Sequence, residues 1–197
     1  MTTDNSQASI LIIGAAQGIG QAIARTFAAD HYHVILADLS ESVYDTVQQI
    51  RADLPQASLA ALVLDATDLR AVEQLAENIN EFLPDTQQNL QHVVYSAGAG
   101  SGKFGFPFWN MHPDDWKRVF DVNLMGAVNV AHAFSEVLRA NLSVNSAKAV
   151  DSTLLFIASI AGQMGSQTDP PYSAAKAGLI NFMQVVAKDL APFGIRA

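Results

Sequence analysis

The sequence has 197 residues, half of them apolar and 15% charged, which excludes a disordered or fibrous chain and allows a substantial core. Eleven basic against nineteen acidic residues leave a net charge of −8 with no Lys/Arg cluster, so no nucleic-acid or anionic-membrane partner is expected. There is no cysteine, which removes disulfides and thiolate chemistry and leaves any zinc to histidines and carboxylates.

Met1 to Ser9 is polar, with no basic region leading into an apolar core, and no apolar run reaches the ~18–20 residues of a membrane helix. A soluble, cytoplasmic protein is the expectation. Short β-rich runs then alternate with longer helical patterns, as in stacked βαβ units on a parallel sheet. Ser9 to Ile13 is the first strand, a continuous apolar run of the kind a doubly covered strand needs. Gly14 to Gly20 turns the chain into a helix reaching Ala29. His33 to Ala37 and Leu59 to Leu64 are the next strands, with helices from Glu41 to Asp53 and from Asp68 to Phe82.

A polar loop, Pro84 to Asn89, precedes a fourth strand at His92 to Tyr95. The Gly/Phe/Pro-rich segment from Gly98 to Pro113 leads into one long helix from Asp114 to Ala140. After a Ser/Asn-containing connection come a fifth strand, Thr153 to Ala158, and a last helix, Pro171 to Ala191, stopped at Pro192-Phe193-Gly194. No repeat and no interdomain linker interrupts the pattern, so residues 1–197 read as a single domain. The fold class is α/β: a Rossmann-type doubly wound parallel sheet with helices on both faces.

Gly14-Ala15-Ala16-Gln17-Gly18-Ile19-Gly20 lies between the first strand and its helix. Glycines there permit a tight turn, close approach of a pyrophosphate and helix–strand packing. Amides of Gln17, Gly18 and Ile19, with the positive end of the helix dipole, would face the anion. A plain glycine-rich turn is the bland alternative. Asp38 stands eighteen residues beyond Gly20, where a carboxylate accepts from ribose hydroxyls and repels a 2′-phosphate. Neither Ala15 nor Leu39 adds a basic group, so NAD is preferred over NADP; simple capping by Asp38 is the competing reading. Asp65 and the Ala66 amide could meet an adenine ring, or Asp65 could cap a helix as Asp68 could.

Tyr172-Ser173-Ala174-Ala175-Lys176 opens the last helix, and residues four apart share a helix face. A free tyrosine has a pKa of about 10, and a neighbouring ammonium favours its phenolate, which makes proton transfer feasible near neutrality. Ser159 ends the fifth strand, thirteen residues before Tyr172, where a hydroxyl could hold a substrate oxygen. Each of these residues alone would more often be structural; their joint order carries the weight.

With Gly14, Gly18 and Gly20, Asp65, Ala97-Gly98, Asn123, Ser159, and Tyr172 with Lys176, the sequence resembles the short-chain dehydrogenase/reductase family from the first strand onward. The resemblance implies Tyr172 as general acid/base, Ser159 polarising the carbonyl and Lys176 holding the nicotinamide ribose. Asn123 would bind a water in a proton relay, and Ser96, Ala97 and Gly98 would line the cofactor. It also implies pairing of the last two long helices in a homodimer or homotetramer. Three departures stand out: Ile13 where many members carry Thr, Tyr95-Ser96 where Asn-Asn is typical, and an apparent lack of the last strands of the full fold. A sixth strand should begin at Gly194 to Ala197, and without its continuation the fifth strand becomes an apolar edge.

The reading is therefore an NAD-dependent oxidoreductase acting on an alcohol or ketone. A non-catalytic or truncated dinucleotide-binding or interaction protein is the alternative. Phe104, Phe106, Phe108 and Trp109 either wall an apolar substrate site or pack into a core or lid. His31 and His33 would share one face of the second strand but lack a carboxylate partner, and His92, His112 and His132 read as scattered surface or helix residues, so no metal is expected.

Overall fold

The computed structural model describes residues 8–84, 89–144 and 152–197. One parallel sheet holds β1 (Ala8–Ile13), β2 (His33–Asp38), β3 (Leu59–Val63), β4 (Asn89–Tyr95) and β5 (Thr153–Phe156) in the order β3-β2-β1-β4-β5. Its faces are covered by α1 (Gly18–Ala29), α2 (Val43–Asp53), α3 (Leu69–Glu77), α4 (Pro113–Phe120), α5 (Gly126–Val144) and α6 (Pro170–Leu190).

β1 explains why these strands read as unbroken apolar runs. Ile10 and Ile12 enter a core with Ala24 and Ala28 of α1 and Val43, Val47 and Ile50 of α2. Leu11 and Ile13 enter the opposite core with Val72 of α3, Phe134 of α5 and Leu179 of α6. Period-two alternation sends neighbours to opposite faces, so both faces demand apolar residues. Each fully buried Ile or Leu contributes about 1.5–3 kcal/mol.

The strand order reverses between β1 and β4, which opens a crevice beyond their carboxyl ends. The Ser96 amide, just past β4, donates to the Ile13 carbonyl at 2.8 Å. The glycine turn and the segment after β4 are thereby brought side by side.

Several element limits differ from the sequence expectation. The helix expected to run from Asp68 to Phe82 ends at Glu77, and a 3-10 turn, Ile79–Phe82, follows. α2 begins at Val43 rather than Glu41, β5 stops at Phe156, and Asn89 belongs to β4. Residues 85–88 of the expected polar loop, and most of the connection before β5, lie outside the described residues. The expected single helix from Asp114 to Ala140 is divided: α4 and α5 are joined by a π-helical turn, Asp121–Met125.

At the far side of β5, Gly194 takes φ +68°, and Arg196 then forms a parallel bridge to Thr153. Leu154 donates to the Arg196 carbonyl at 2.8 Å, and Arg196 to the Ser152 carbonyl at 3.0 Å. A strand-like contact thus begins where a sixth strand was expected, while Leu155 stays 46% exposed.

Candidate functional site

The glycine turn is tight where it meets the segment after β4 and the start of α1. Gly14 has φ +89°, and a Cβ there would lie 2.4 Å from the Ala97 amide nitrogen. A Cβ on Gly20 would lie 2.0 Å from the Gly14 carbonyl oxygen, so α1 packs directly on the turn. Gly18 has φ +59° and open space beyond it. Gly14 and Ala15 donate to the Ala37 carbonyl at 2.8 and 3.1 Å, which anchors the turn to β2. The first helical bond of α1 runs from Gln21 to Gln17, so the amides of Gly18, Ile19 and Gly20 precede it and remain available to an anion.

A cavity of about 430 Å³ runs along this edge. Gly14, Gln17, Gly18, Ile19, Asp38, Leu39, Asp65, Ala66, Ser96, Ala97 and Gly98 are all among the residues that line it. Asp38 accepts from the Ala16 amide and the Ser40 amide, one carboxylate oxygen each, both at 2.9 Å. It does not cap α2, whose N-cap is Ser42. Asp65 accepts from the amide and hydroxyl of Thr67 through one oxygen, and the capping of α3 falls to Asp68. Open backbone, glycines that no side chain could replace and a carboxylate at the end of β2 suit this cavity to a dinucleotide.

Beyond it, four of the predicted residues approach one another. Lys176 is buried, and its Nζ donates to the Ile157 carbonyl at 2.8 Å. Burial lowers its pKa to about 8. The same Nζ stands 5.6 Å from the ring centroid of Tyr172, one helical turn earlier on α6. Asn123 sits in the π turn, fully buried, donating from Nδ2 to the Ala99 carbonyl at 2.6 Å and the Val119 carbonyl at 2.9 Å. Its Oδ1 is buried without a protein partner. Such an atom costs about 1–3 kcal/mol if left unsatisfied, so the site is suited to a small donor.

Gly98 lies between the two: a Cβ there would be 3.1 Å from Asn123 Oδ1 and 3.7 Å from Lys176 Nζ. Ser159 is half-buried just past β5 and accepts from the Ala161 amide at 3.2 Å, so its hydrogen bond lies within its own turn rather than with Tyr172.

Four residues given no site role from the sequence hold this arrangement, Tyr95 among them having stood out only as a departure from the resemblance. Arg118 donates to the Gly100 carbonyl at 2.7 Å. Asp169, buried, caps α6 through the Tyr172 amide at 3.4 Å and accepts from the Ser101 amide at 2.9 Å. Asn129 donates to the carbonyls of Ala66 and Thr67 at 3.0 and 3.3 Å. Tyr95 donates to the Val122 carbonyl at 2.5 Å. Asn129 and Asp169 carried local signals, since an asparagine inside a helix is unfavourable without a partner and an aspartate directly before Pro170-Pro171 marks a helix N-cap.

A larger cavity, about 690 Å³, lies between the loop carrying Phe106, Phe108 and Trp109 and the α6 face bearing Ser173 and Ala177. That face is turned roughly 100° per residue away from Tyr172, which does not line the cavity. Phe104, Phe108 and Trp109 are 63%, 62% and 72% exposed, so they do not pack into the core.

The histidines have other tasks. His31 is exposed at φ +66° before β2, so it does not share a strand face with His33. His33 is buried between Ser58 Oγ and the Phe82 carbonyl, both at 2.7 Å, and burial lowers its pKa. His92 is not a surface residue: half-buried on β4, it bonds Thr153 Oγ1 of β5 at 2.9 Å. His112 caps α4. Among the described residues no group of three or more His, Asp and Glu could hold a metal, and no helix is long and apolar enough to cross a membrane.

The family model of short chain dehydrogenases matches residues 8–197. The chain is 28% identical to sorbitol-6-phosphate 2-dehydrogenase of Escherichia coli over 186 residues, covering 94% of this chain and 66% of that one. Against a 3-oxoacyl-[acyl-carrier-protein] reductase of Salmonella typhimurium the identity is 30% over 185 residues, covering 94% and 68%. Among solved structures, LigD of Sphingobium in its apo form superposes with a TM-score of 0.84 at 27% identity, covering 98% and 76%. The chain thus spans about two thirds of the length of the curated relatives it matches.

Proposed function

The chain belongs to the short-chain dehydrogenase family, and from that premise we propose that it is an NAD-dependent oxidoreductase interconverting an alcohol and a ketone or aldehyde. The observation that carries this reading is the approach of Lys176 and the unsatisfied Oδ1 of Asn123 to Gly98, at the edge of a cavity suited to a dinucleotide, with the Tyr172 ring 5.6 Å from the same amine. When bound, the nicotinamide supplies the two-electron chemistry, accepting or giving hydride at the substrate carbon.

Tyr172 moves the proton: its hydroxyl gives one to the substrate oxygen in reduction and takes it back in oxidation. Ser159 holds that oxygen through its hydroxyl and stabilises the charge developing there. Lys176, protonated, places a positive charge beside the ring, offsetting the negative charge the phenol oxygen gains as its proton leaves. Lys176 also holds the nicotinamide ribose. Asn123 keeps an unpartnered carbonyl oxygen beside Gly98, able to orient a water that passes the proton onward.

Asp38 reads the adenosine ribose. Each of its oxygens already takes one backbone amide and retains a lone pair for a ribose hydroxyl. A 2′-phosphate would meet its charge, which favours NAD over NADP. Asp65 and Ala66 meet the adenine. Residues 1–197 act as one domain, and the outer faces of α5 and α6 join it into a homodimer or homotetramer.

The test combines calorimetry with NAD and NADP and NADH oxidation with ethyl acetoacetate, cyclohexanone and benzaldehyde. Tyr172→Phe should lower turnover by about 10²–10⁴-fold while leaving NAD affinity nearly unchanged. Full turnover in that variant would refute the proton transfer. Tight NAD binding without turnover in the parent chain would favour the non-catalytic reading.

A further inference from the structure

The π turn that carries Asn123 diverts one backbone hydrogen bond. In a continuous α-helix the Gly126 amide would donate to the Val122 carbonyl, four residues back. Here it donates to the Asp121 carbonyl, five residues back. Val122 has therefore lost its α-helical donor, and the Tyr95 hydroxyl takes that place at 2.5 Å.

Tyr95 is well placed to hold the turn still. It is 1% exposed and ends β4, with its backbone in register with Ile13 of β1 and Phe156 of β5. Its own carbonyl accepts from the Ile157 amide at 2.9 Å, and the Ile157 carbonyl accepts from Lys176. The helix is shaped to admit the hydroxyl, because a Cβ on Gly126 would lie 2.1 Å from it. Burial, with the charge of Asp65, pushes the Tyr95 hydroxyl well above its usual pKa, so it stays a donor throughout the working range.

We infer that Tyr95 is a positioning residue: from the end of β4 its hydroxyl fixes the π turn and so sets where Asn123 directs its free oxygen. This rests on the role proposed above for Asn123. It also gives a function to the tyrosine standing where the family typically has asparagine.

The test is a double-mutant cycle of Tyr95→Phe with Asn123→Ala, each checked for folding by thermal melting, with NADH and ethyl acetoacetate as probes. Tyr95→Phe keeps the ring and deletes one atom. It should lower kcat about ten- to a hundredfold at unchanged NADH affinity, and should add no further loss once Asn123 is alanine. A general structural role would carry the same loss into both backgrounds, and that result overturns the proposal. So does full turnover in Tyr95→Phe when Asn123→Ala is impaired, which leaves the wider reading standing. Full turnover in Asn123→Ala removes the role of Asn123 and the proposal with it. Hydrogen exchange is a readout independent of activity: the amides of residues 123–126 should exchange faster in Tyr95→Phe while β1 and β2 do not change, and unchanged protection there overturns the proposal.

Discussion

Asp38 shows how a residue visible in the sequence gains a second task in the fold. Its distance from the glycine turn marks it as a ribose reader, but the side chain also holds the Ala16 amide and thus the turn itself. Asp38→Ala should weaken NAD binding by roughly ten- to a hundredfold, since hydrogen bonds to a charged group contribute about 1.5–3 kcal/mol. It should also raise NADP affinity relative to NAD, as calorimetry with both dinucleotides would show. An unchanged ratio would mean that another group reads the ribose. Tyr172 and Lys176 were legible for a simpler reason: their spacing is local, and a helix places residues four apart on one face. The hold of Arg118 on Gly100 and of Asp169 on Ser101 was not legible, because each reaches a backbone atom distant in sequence; only the capping of α6 by Asp169, ahead of Pro170-Pro171, is local.

At the level of elements, the segment after β4 is a strap pinned at successive peptide groups. Asn123 holds the Ala99 carbonyl, Arg118 the Gly100 carbonyl and Asp169 the Ser101 amide, and Gly105 donates to the Thr168 carbonyl at 2.7 Å. Asp169 joins the strap to the first turn of the helix bearing Tyr172 through its side chain, and a Cβ on Gly100 would come within 2.9 Å of its carboxylate. Asp169→Ala should cost about 1–3 kcal/mol, lowering Tm by about 2–4 °C for each. Exchange should rise at the Ser101 and Tyr172 amides, with Asp169→Asn intermediate. Protection unchanged at Ser101 would show that the strap is held without this carboxylate. The strap's composition announced a loop, and the Asp114 to Ala140 pattern announced a helix. The π turn between α4 and α5 was hidden because the hydroxyl that meets its freed Val122 carbonyl, that of Tyr95, arrives from β4, distant in sequence.

For the molecule as a whole, two cores on either side of one sheet leave Lys176 as an amine enclosed near the crevice. Unfolded, a lysine keeps its proton to about pH 10.4; folded, Lys176 loses it near 8 because burial penalises the charge. Between those values the unfolded chain binds more protons, so stability rises with pH there and is lowest below about 8, where the fold encloses a cation. Urea denaturation across that window should show the parent chain gaining stability relative to Lys176→Met. Parallel profiles would show that Lys176 is not desolvated in solution. The large cavity and the exposed Phe104, Phe108 and Trp109 were not separable from core by sequence, because an aromatic residue in a loop has no periodicity to tell inside from outside.

The alternation of strands and helices, the glycine turn, the carboxylate after β2 and the Tyr–Lys pair are written in the order of residues along the chain. All of these follow from local periodicity and short spacings that hold wherever the chain is placed. That Gly98 stands between Asn123 and Lys176, that α4 and α5 part at a π turn, and that Asp169 and Arg118 hold the strap emerges from the folded packing. Those outcomes depend on which atoms meet across the sheet's carboxyl edge, and that is set by packing between elements far apart in the chain.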